Sequence, residues 1–166
     1  MLKSIDYNEP SSTGLMLLIY GPPGMGKSSI GAGLAAACEA DGKRAVMGDT
    51  ELGSAAALRR AGCTKSALLD LTVSGGAASA RALAGHVMSD DDCGLFVLDT
   101  LTELVVTVLR DAMGDRDMPE MRDYGKRKVG TMQIIRGARD VAASGRPVLI
   151  TAQQGTHEVE GLQNVH

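Results

Sequence analysis

The segment Gly21-Pro22-Pro23-Gly24-Met25-Gly26-Lys27-Ser28 fits the pattern G-x-x-x-x-G-K-[ST] at every fixed position. Its chemistry follows from the residue types. Glycines let the backbone curl until successive N–H groups point at phosphate oxygens. A helix starting near Lys27 adds the positive end of its dipole. The Lys27 ammonium then neutralises the outer phosphates of a nucleoside triphosphate, and the Ser28 hydroxyl completes the shell of a Mg²⁺ ion. The nucleotide-binding set is therefore Gly21, Pro22, Pro23, Gly24, Met25, Gly26, Lys27, Ser28 and Ser29, with ATP and Mg²⁺ as the expected ligands. A glycine-rich turn that merely precedes a helix is the competing reading. The apolar run before the pattern and the helical stretch after it favour the phosphate cradle.

Asp99 ends the apolar run Leu95-Phe96-Val97-Leu98. A carboxylate there stands at the carboxyl edge of a strand, beside the phosphate loop, where it is expected to hold Mg²⁺ through water. The next residue is Thr100, not Glu, so a group that orients the attacking water must come from elsewhere. Glu51, in Gly48-Asp49-Thr50-Glu51, is the best-placed candidate, and Asp49 competes for the role. Both acids would otherwise be loop residues capping the helix near Ser54. After the last apolar run comes Thr151-Ala152-Gln153-Gln154, where an amide can hydrogen-bond a γ-phosphate. Polar residues after strands are common, so chemistry alone does not single that amide out.

These groups need elements to hold them. Leu15 to Tyr20 reads as a fully buried parallel strand, followed by a helix over 27–40 that ends at Asp41-Gly42. A second strand is expected over 44–48, a short helix over 54–61 with Ser54 as its cap, and a strand over 67–73. Ala80, Leu83, Ala84, Val87 and Met88 keep helical spacing after Gly75-Gly76. A strand over 95–99, a helix over 103–112, a loop over 113–119, a long helix over 122–144 and a strand over 148–152 complete the series. Strands alternating with helices specify an α/β fold with a mainly parallel sheet flanked by helices.

Composition bounds the rest. The 166 residues are 44% hydrophobic and 22% charged, which suits one packed domain and excludes general disorder. The longest apolar run falls far short of the roughly 20 residues of a membrane span, and the first 13 residues lack the apolar stretch of a signal peptide. A cytoplasmic protein with no membrane partner is expected. The net charge of −3 gives no global attraction to nucleic acid, so any such contact must be local. Cys38, Cys63 and Cys93 are odd in number and lack metal-site spacing, so they read as reduced, mostly buried thiols. Met113, Met118, Met121 and Met132 read as packing residues, and no metal is assigned to His86, His157 or His166.

Taken together and in this order, the motifs resemble those of the RecA-like P-loop ATPases. AVMGDTE (45–51) resembles the strand that delivers their catalytic glutamate, FVLDTLTEL (96–104) their acidic strand, and VLITAQ (148–153) the strand ending in the glutamine that senses the γ-phosphate. The resemblance implies catalytic roles for Glu51, Lys27 and Gln153, and a Mg²⁺ site at Ser28 and Asp99. Closer still is the likeness to small phage and prophage ATPases of the Sak-type single-strand-annealing group, through LLIYGPPGMGKSS, DTE, LDTLTEL and the Tyr124-Gly125 pair before a long helix.

That likeness implies an ATP-hydrolysing core over 14–154 after a polar lead-in over 1–13. The implied setting is DNA recombination or single-strand annealing in a bacterial or phage-infected cell. Single-stranded DNA, a single-strand-binding or annealing protein and a homo-oligomer with ATP at its interface are the implied partners. Such proteins carry a DNA-binding loop and further strands after the glutamine. Residues 155–166 read as the start of that loop, in a chain shortened relative to the family. On the long helix, Lys128, Arg136 and Arg139 fall within about 80° of one another at helical spacing, opposite an apolar stripe of Ile134, Ala138, Val141 and Ala142. They are the candidate DNA contacts, although such faces are more often simply solvated. The loop over 113–119 is a second candidate. The alternatives are an AAA+ ATPase, a small-molecule kinase, or a catalytically silent nucleotide- or DNA-binding module. AAA+ enzymes usually follow the acidic-strand Asp with Glu, and a kinase would need an arginine-rich lid, which is not evident.

Overall fold

A computed structural model describes residues 14–71 and 76–154. It is an α/β fold whose five strands, β1 (Met16–Gly21), β2 (Arg44–Asp49), β3 (Ala67–Asp70), β4 (Cys93–Asp99) and β5 (Val148–Gln153), form one sheet. All pairings are parallel, and the spatial order is β1-β5-β4-β2-β3. The expected mainly parallel sheet is thus all-parallel among the described residues, an architecture consistent with a RecA-like core. The helices are α1 (Lys27–Ala40), α2 (Ser54–Arg60), α3 (Gly76–Ser89), α4 (Leu101–Met113) and α5 (Met121–Ala143). The lead-in over 1–13, the end of the strand expected over 67–73 and the segment 155–166 lie outside the described residues.

The two faces of the sheet follow from the two-residue side-chain alternation of strands. Val46, Phe96, Leu98, Val148 and Ile150 point to one side, where α3, α4 and α5 cover them with Leu83, Val87, Leu104, Ile134 and Val141. Met47, Leu95, Val97 and Leu149 point to the other, under Ala32 and Ala35 of α1 and Ala57 and Leu58 of α2. Small residues bring α1 close to the sheet: a Cβ on Gly31 would lie 2.9 Å from the Met47 side chain. The stripe expected on α5 is buried as read, at Ile134, Ala138, Val141 and Ala142. Helix α4 starts two residues before expectation because Thr100 caps it, its side chain accepting from the Glu103 N–H at 3.4 Å.

Three readings need correction. β1 is not fully buried: it is an edge strand paired only with β5, and Leu15, Leu18 and Tyr20 are each at least 60% exposed. An apolar run signals a strand, but it does not report the position of that strand in the sheet. Three of the four methionines do not pack as expected either, since Met118, Met121 and Met132 are exposed while Met113 is half-buried, and Met88 on α3 is exposed as well. Finally, Ser54 is the first residue of α2 and not its cap, because its hydroxyl is turned inward. The three cysteines are free thiols, with Cys93 buried and the other two half-buried. Among the described residues, no helix is long and apolar enough to cross a membrane.

Candidate functional site

The parallel strands all end on one side, and the loops that leave them enclose a cleft of about 300 Å³. One wall is the phosphate loop between β1 and α1. Gly24 and Gly26 have φ of +77° and +80°, values that side-chain-bearing residues avoid, so glycine is required at both. Open space surrounds the position a Cβ would take on either. Lys27 is 7% exposed, and its ammonium donates to the carbonyls of Gly21 at 3.0 Å and Pro22 at 2.7 Å. The loop thus wraps around its own cation, and Ser28 and Ser29 follow at the start of α1 on the cleft wall.

Glu51 and Gln153 stand on this same cleft. The register explains the meeting. Gly21 is the β-partner of Gln153, and the Gln154 N–H donates to the Gly21 carbonyl at 3.0 Å, so the last residue of β5 lies beside the phosphate loop. Thr102 of α4 fixes that residue from the other side, its hydroxyl accepting from the Gln153 N–H at 2.8 Å and donating to the Gln153 carbonyl at 3.3 Å. The Gln153 amide nitrogen donates to the Glu51 carboxylate, which also accepts from the Thr100 hydroxyl at 3.4 Å. Glu51 is exposed at the cleft, but protein packed around its carboxyl raises its pKa above the ordinary value. The charges of Asp99, Glu103 and Asp49 add to the rise, and the Thr100 hydroxyl opposes it.

The two candidates for orienting water are separated by their bonds. Asp49 is 1% exposed and both its oxygens are taken by backbone, the Glu51 N–H at 3.0 Å and the Ser54 N–H at 2.9 Å. It holds the turn that presents Glu51, which leaves Glu51 as the acid at the cleft. Leu52 in that turn has φ of +58°, a left-handed conformation that costs a non-glycine residue about 1–2 kcal/mol. Asp99, the partner of Asp49 across β2 and β4, is 3% exposed. Its carboxylate accepts from the Ser54 hydroxyl at 2.9 Å and from the Thr151 hydroxyl. It lies behind Thr100, to which it is joined by a cis peptide bond.

The donor set for a cation can be tested on these contacts. Mg²⁺ keeps several waters and takes one or two protein oxygens beside those of a phosphate. Ser28 lines the cleft, whereas Asp99 is buried, lies outside the cleft lining and accepts a hydroxyl on each oxygen, so it would serve such a cation only through water. Among the described residues, no group of three or more His, Cys, Asp or Glu side chains is placed to hold a metal by itself.

Several residues that line the cleft or hold its side chains escaped the sequence reading. Ser54 and Thr151 hold Asp99, Thr102 holds Gln153, Thr100 reaches Glu51, and Arg60 of α2 lines the cleft together with Ser28 and Ser29. No pattern marks them. The only available signal was helical spacing, which puts Ala56 and Arg60 of α2 on the same face.

Lys128, Arg136 and Arg139 of α5 are exposed, but they do not share one groove. Lys128 lies beside Val105 of α4, in a groove that also holds Tyr124 and Arg127, whose guanidinium is 5.1 Å from the tyrosine ring centre. Arg136 lines another groove with Arg81 and Met88 of α3. Arg139 lines neither. No protein-family model matches the chain, and no curated protein matches it significantly.

Proposed function

We propose that this chain binds Mg·ATP and hydrolyses it as a RecA-like ATPase serving phage DNA recombination or single-strand annealing. One observation carries the ATPase part: three segments far apart in sequence, the phosphate loop, Glu51 and Gln153, line one cleft. The DNA setting, a homo-oligomer with ATP at its interface and a cytoplasmic location rest on the resemblance of the motifs.

In this reading the loop N–H groups and the Lys27 ammonium bind the phosphates, the ammonium exchanging its carbonyl partners for phosphate oxygens. Ser28 and Asp99 would hold Mg²⁺, which supplies charge neutralisation at the transferring phosphoryl group. Glu51 orients the attacking water and takes its proton, a task suited by a raised carboxyl pKa. The Gln153 amide, bonded to Glu51, turns to a γ-phosphate oxygen and frees the carboxylate for that water. Binding of the outer phosphate and release of the base are then one event.

Steady-state ATP hydrolysis at fixed salt, with and without single-stranded DNA, tests the proposal. Turnover should be abolished by Lys27→Ala, and Glu51→Gln should retain ATP binding while losing at least 100-fold in rate, the low end of a general-base contribution. DNA should accelerate the wild-type protein. Hydrolysis unaffected by Glu51→Gln would remove Glu51 from the mechanism, and turnover indifferent to DNA would point to another P-loop activity.

A further inference from the structure

The turn over 49–54 is tied at both ends. Asp49, the last residue of β2, accepts the Glu51 N–H at 3.0 Å on one oxygen and the Ser54 N–H at 2.9 Å on the other. Thr50 joins the start of the turn to the end of β4. Its N–H donates to the Asp99 carbonyl at 2.7 Å, and its hydroxyl accepts from the Thr100 N–H at 2.8 Å. The far end is held through a side chain: the hydroxyl of Ser54, which is fully buried, donates to the Asp99 carboxylate at 2.9 Å. Ser54 thus bonds both buried acids of these paired strand ends, Asp49 through its N–H and Asp99 through its hydroxyl.

We infer that Ser54 is a positioning residue for Glu51: it fastens the turn that carries Glu51 to the Asp99 carboxylate, and so sets where the Glu51 carboxyl stands in the cleft. The inference rests on the reading of Glu51 as the group that orients water. The turn needs such a tie, because Leu52 at φ +58° holds a conformation that only the surrounding bonds maintain. A hydroxyl on a buried carboxylate supplies it. A hydrogen bond to a charged group is about twice as strong as a neutral one, and its loss leaves a buried oxygen short of a partner. Asp99 is the acid expected to serve the cation, so Ser54 joins the two acids of the reaction into one body. Thr151 also donates to Asp99, but from β5, a separate element. The two hydroxyls make the same kind of bond with different consequences, and removing each in turn separates positioning from simple support of Asp99.

Two measurements on the full chain test this: amide hydrogen exchange over 50–54 without nucleotide, and steady-state hydrolysis of Mg·ATP. The variants are Ser54→Ala, Ser54→Cys and Thr151→Val, with Ser54→Ala made again in a Glu51→Gln background. Ser54→Ala should speed exchange of the Glu51 and Ser54 N–H groups by about tenfold or more, the factor for losing a hydrogen bond to a charged group. It should lower kcat on the order of tenfold, within the roughly 100-fold that a 1 Å misplacement costs. KM for ATP should stay within about twofold, since binding of the ground state is untouched. Ser54→Cys, which keeps the volume and a weaker donor, should fall between. Thr151→Val should leave exchange in the turn unchanged. In the Glu51→Gln background, Ser54→Ala should change the residual rate by less than about twofold, because the group it positions is gone. Turn exchange indifferent to Ser54→Ala would overturn the inference. So would an equal loss of kcat in both backgrounds, or turn exchange accelerated as much by Thr151→Val. A wild-type chain that hydrolyses no ATP would overturn the hydrolytic reading of Glu51, whereas turn exchange decides the Ser54 link by itself.

Discussion

Glu51 shows what one residue's surroundings do to its chemistry. Its carboxyl titrates above the ordinary 4.5 because burial opposes the charge and because Asp99, Glu103 and Asp49 are close. An acid with a raised folded-state pKa penalises the native state once the pH exceeds its unfolded value, and fully so above the folded one. Glu51→Gln removes that penalty. The variant should unfold at a higher temperature than the wild type at neutral pH, and this advantage should fade as the pH falls through the raised folded-state value and be gone below about 4.5. Thermal unfolding of both proteins across that range checks the sign, and a variant less stable at neutral pH would contradict it. The sequence identified Glu51 and Asp49 as rivals, but it could not choose between them. The choice lies in backbone donors: the two N–H groups that bind Asp49 become available only once the turn has folded.

Glu39 links elements. It sits in the last turn of α1, and its carboxylate accepts from the backbone N–H groups of Thr64, Lys65 and Ser66 at 2.8, 2.9 and 2.7 Å and from both hydroxyls. This joins the end of the phosphate-binding helix to the turn that leads from α2 into β3. These bonds hold the Glu39 pKa down at about 2, against an ordinary 4.5. A lowered carboxyl pKa contributes stability that is fully present above 4.5 and is lost as the pH falls towards about 2. Glu39→Gln should therefore lower the denaturation midpoint at neutral pH, and the gap from the wild type should close through that acid window. A gap that stays constant down to pH 2 would deny the link. At this scale the sequence was highly legible, because periodicity and glycine breaks located β1, β2, β4, β5, α1, α2, α4 and α5 within about two residues and the start of β3 at 67, while helical spacing marked α3 without fixing its ends. The bond from Glu39 to residues 64–66 was invisible, since a helix-end Glu normally reads as solvated.

For the whole molecule, the sheet order decides which apolar residues matter to stability. β5 lies between β1 and β4, so Leu149 is 1% exposed, whereas Leu18 on the edge is 60% exposed. Leu149→Ala should cost about 2–5 kcal/mol and Leu18→Lys less than about 0.5 kcal/mol, as read from urea denaturation. Comparable costs would show that something covers β1 in solution. Both residues belong to apolar runs of similar length, so the sequence ranks them alike and only the pairing order separates them. That order also sets how far the cleft reaches. Because Thr102 grips the Gln153 backbone through both its N–H and its carbonyl, the tip of β5 and the first turn of α4 form a single lever. The lever is about 20 Å long on the helix side, and its far end opens into the loop before α5. Leu104 and Val108 on the same helix are buried with Phe96, Val148 and Ile150, so a displacement of Gln153 is felt in the core under the sheet before it reaches that loop.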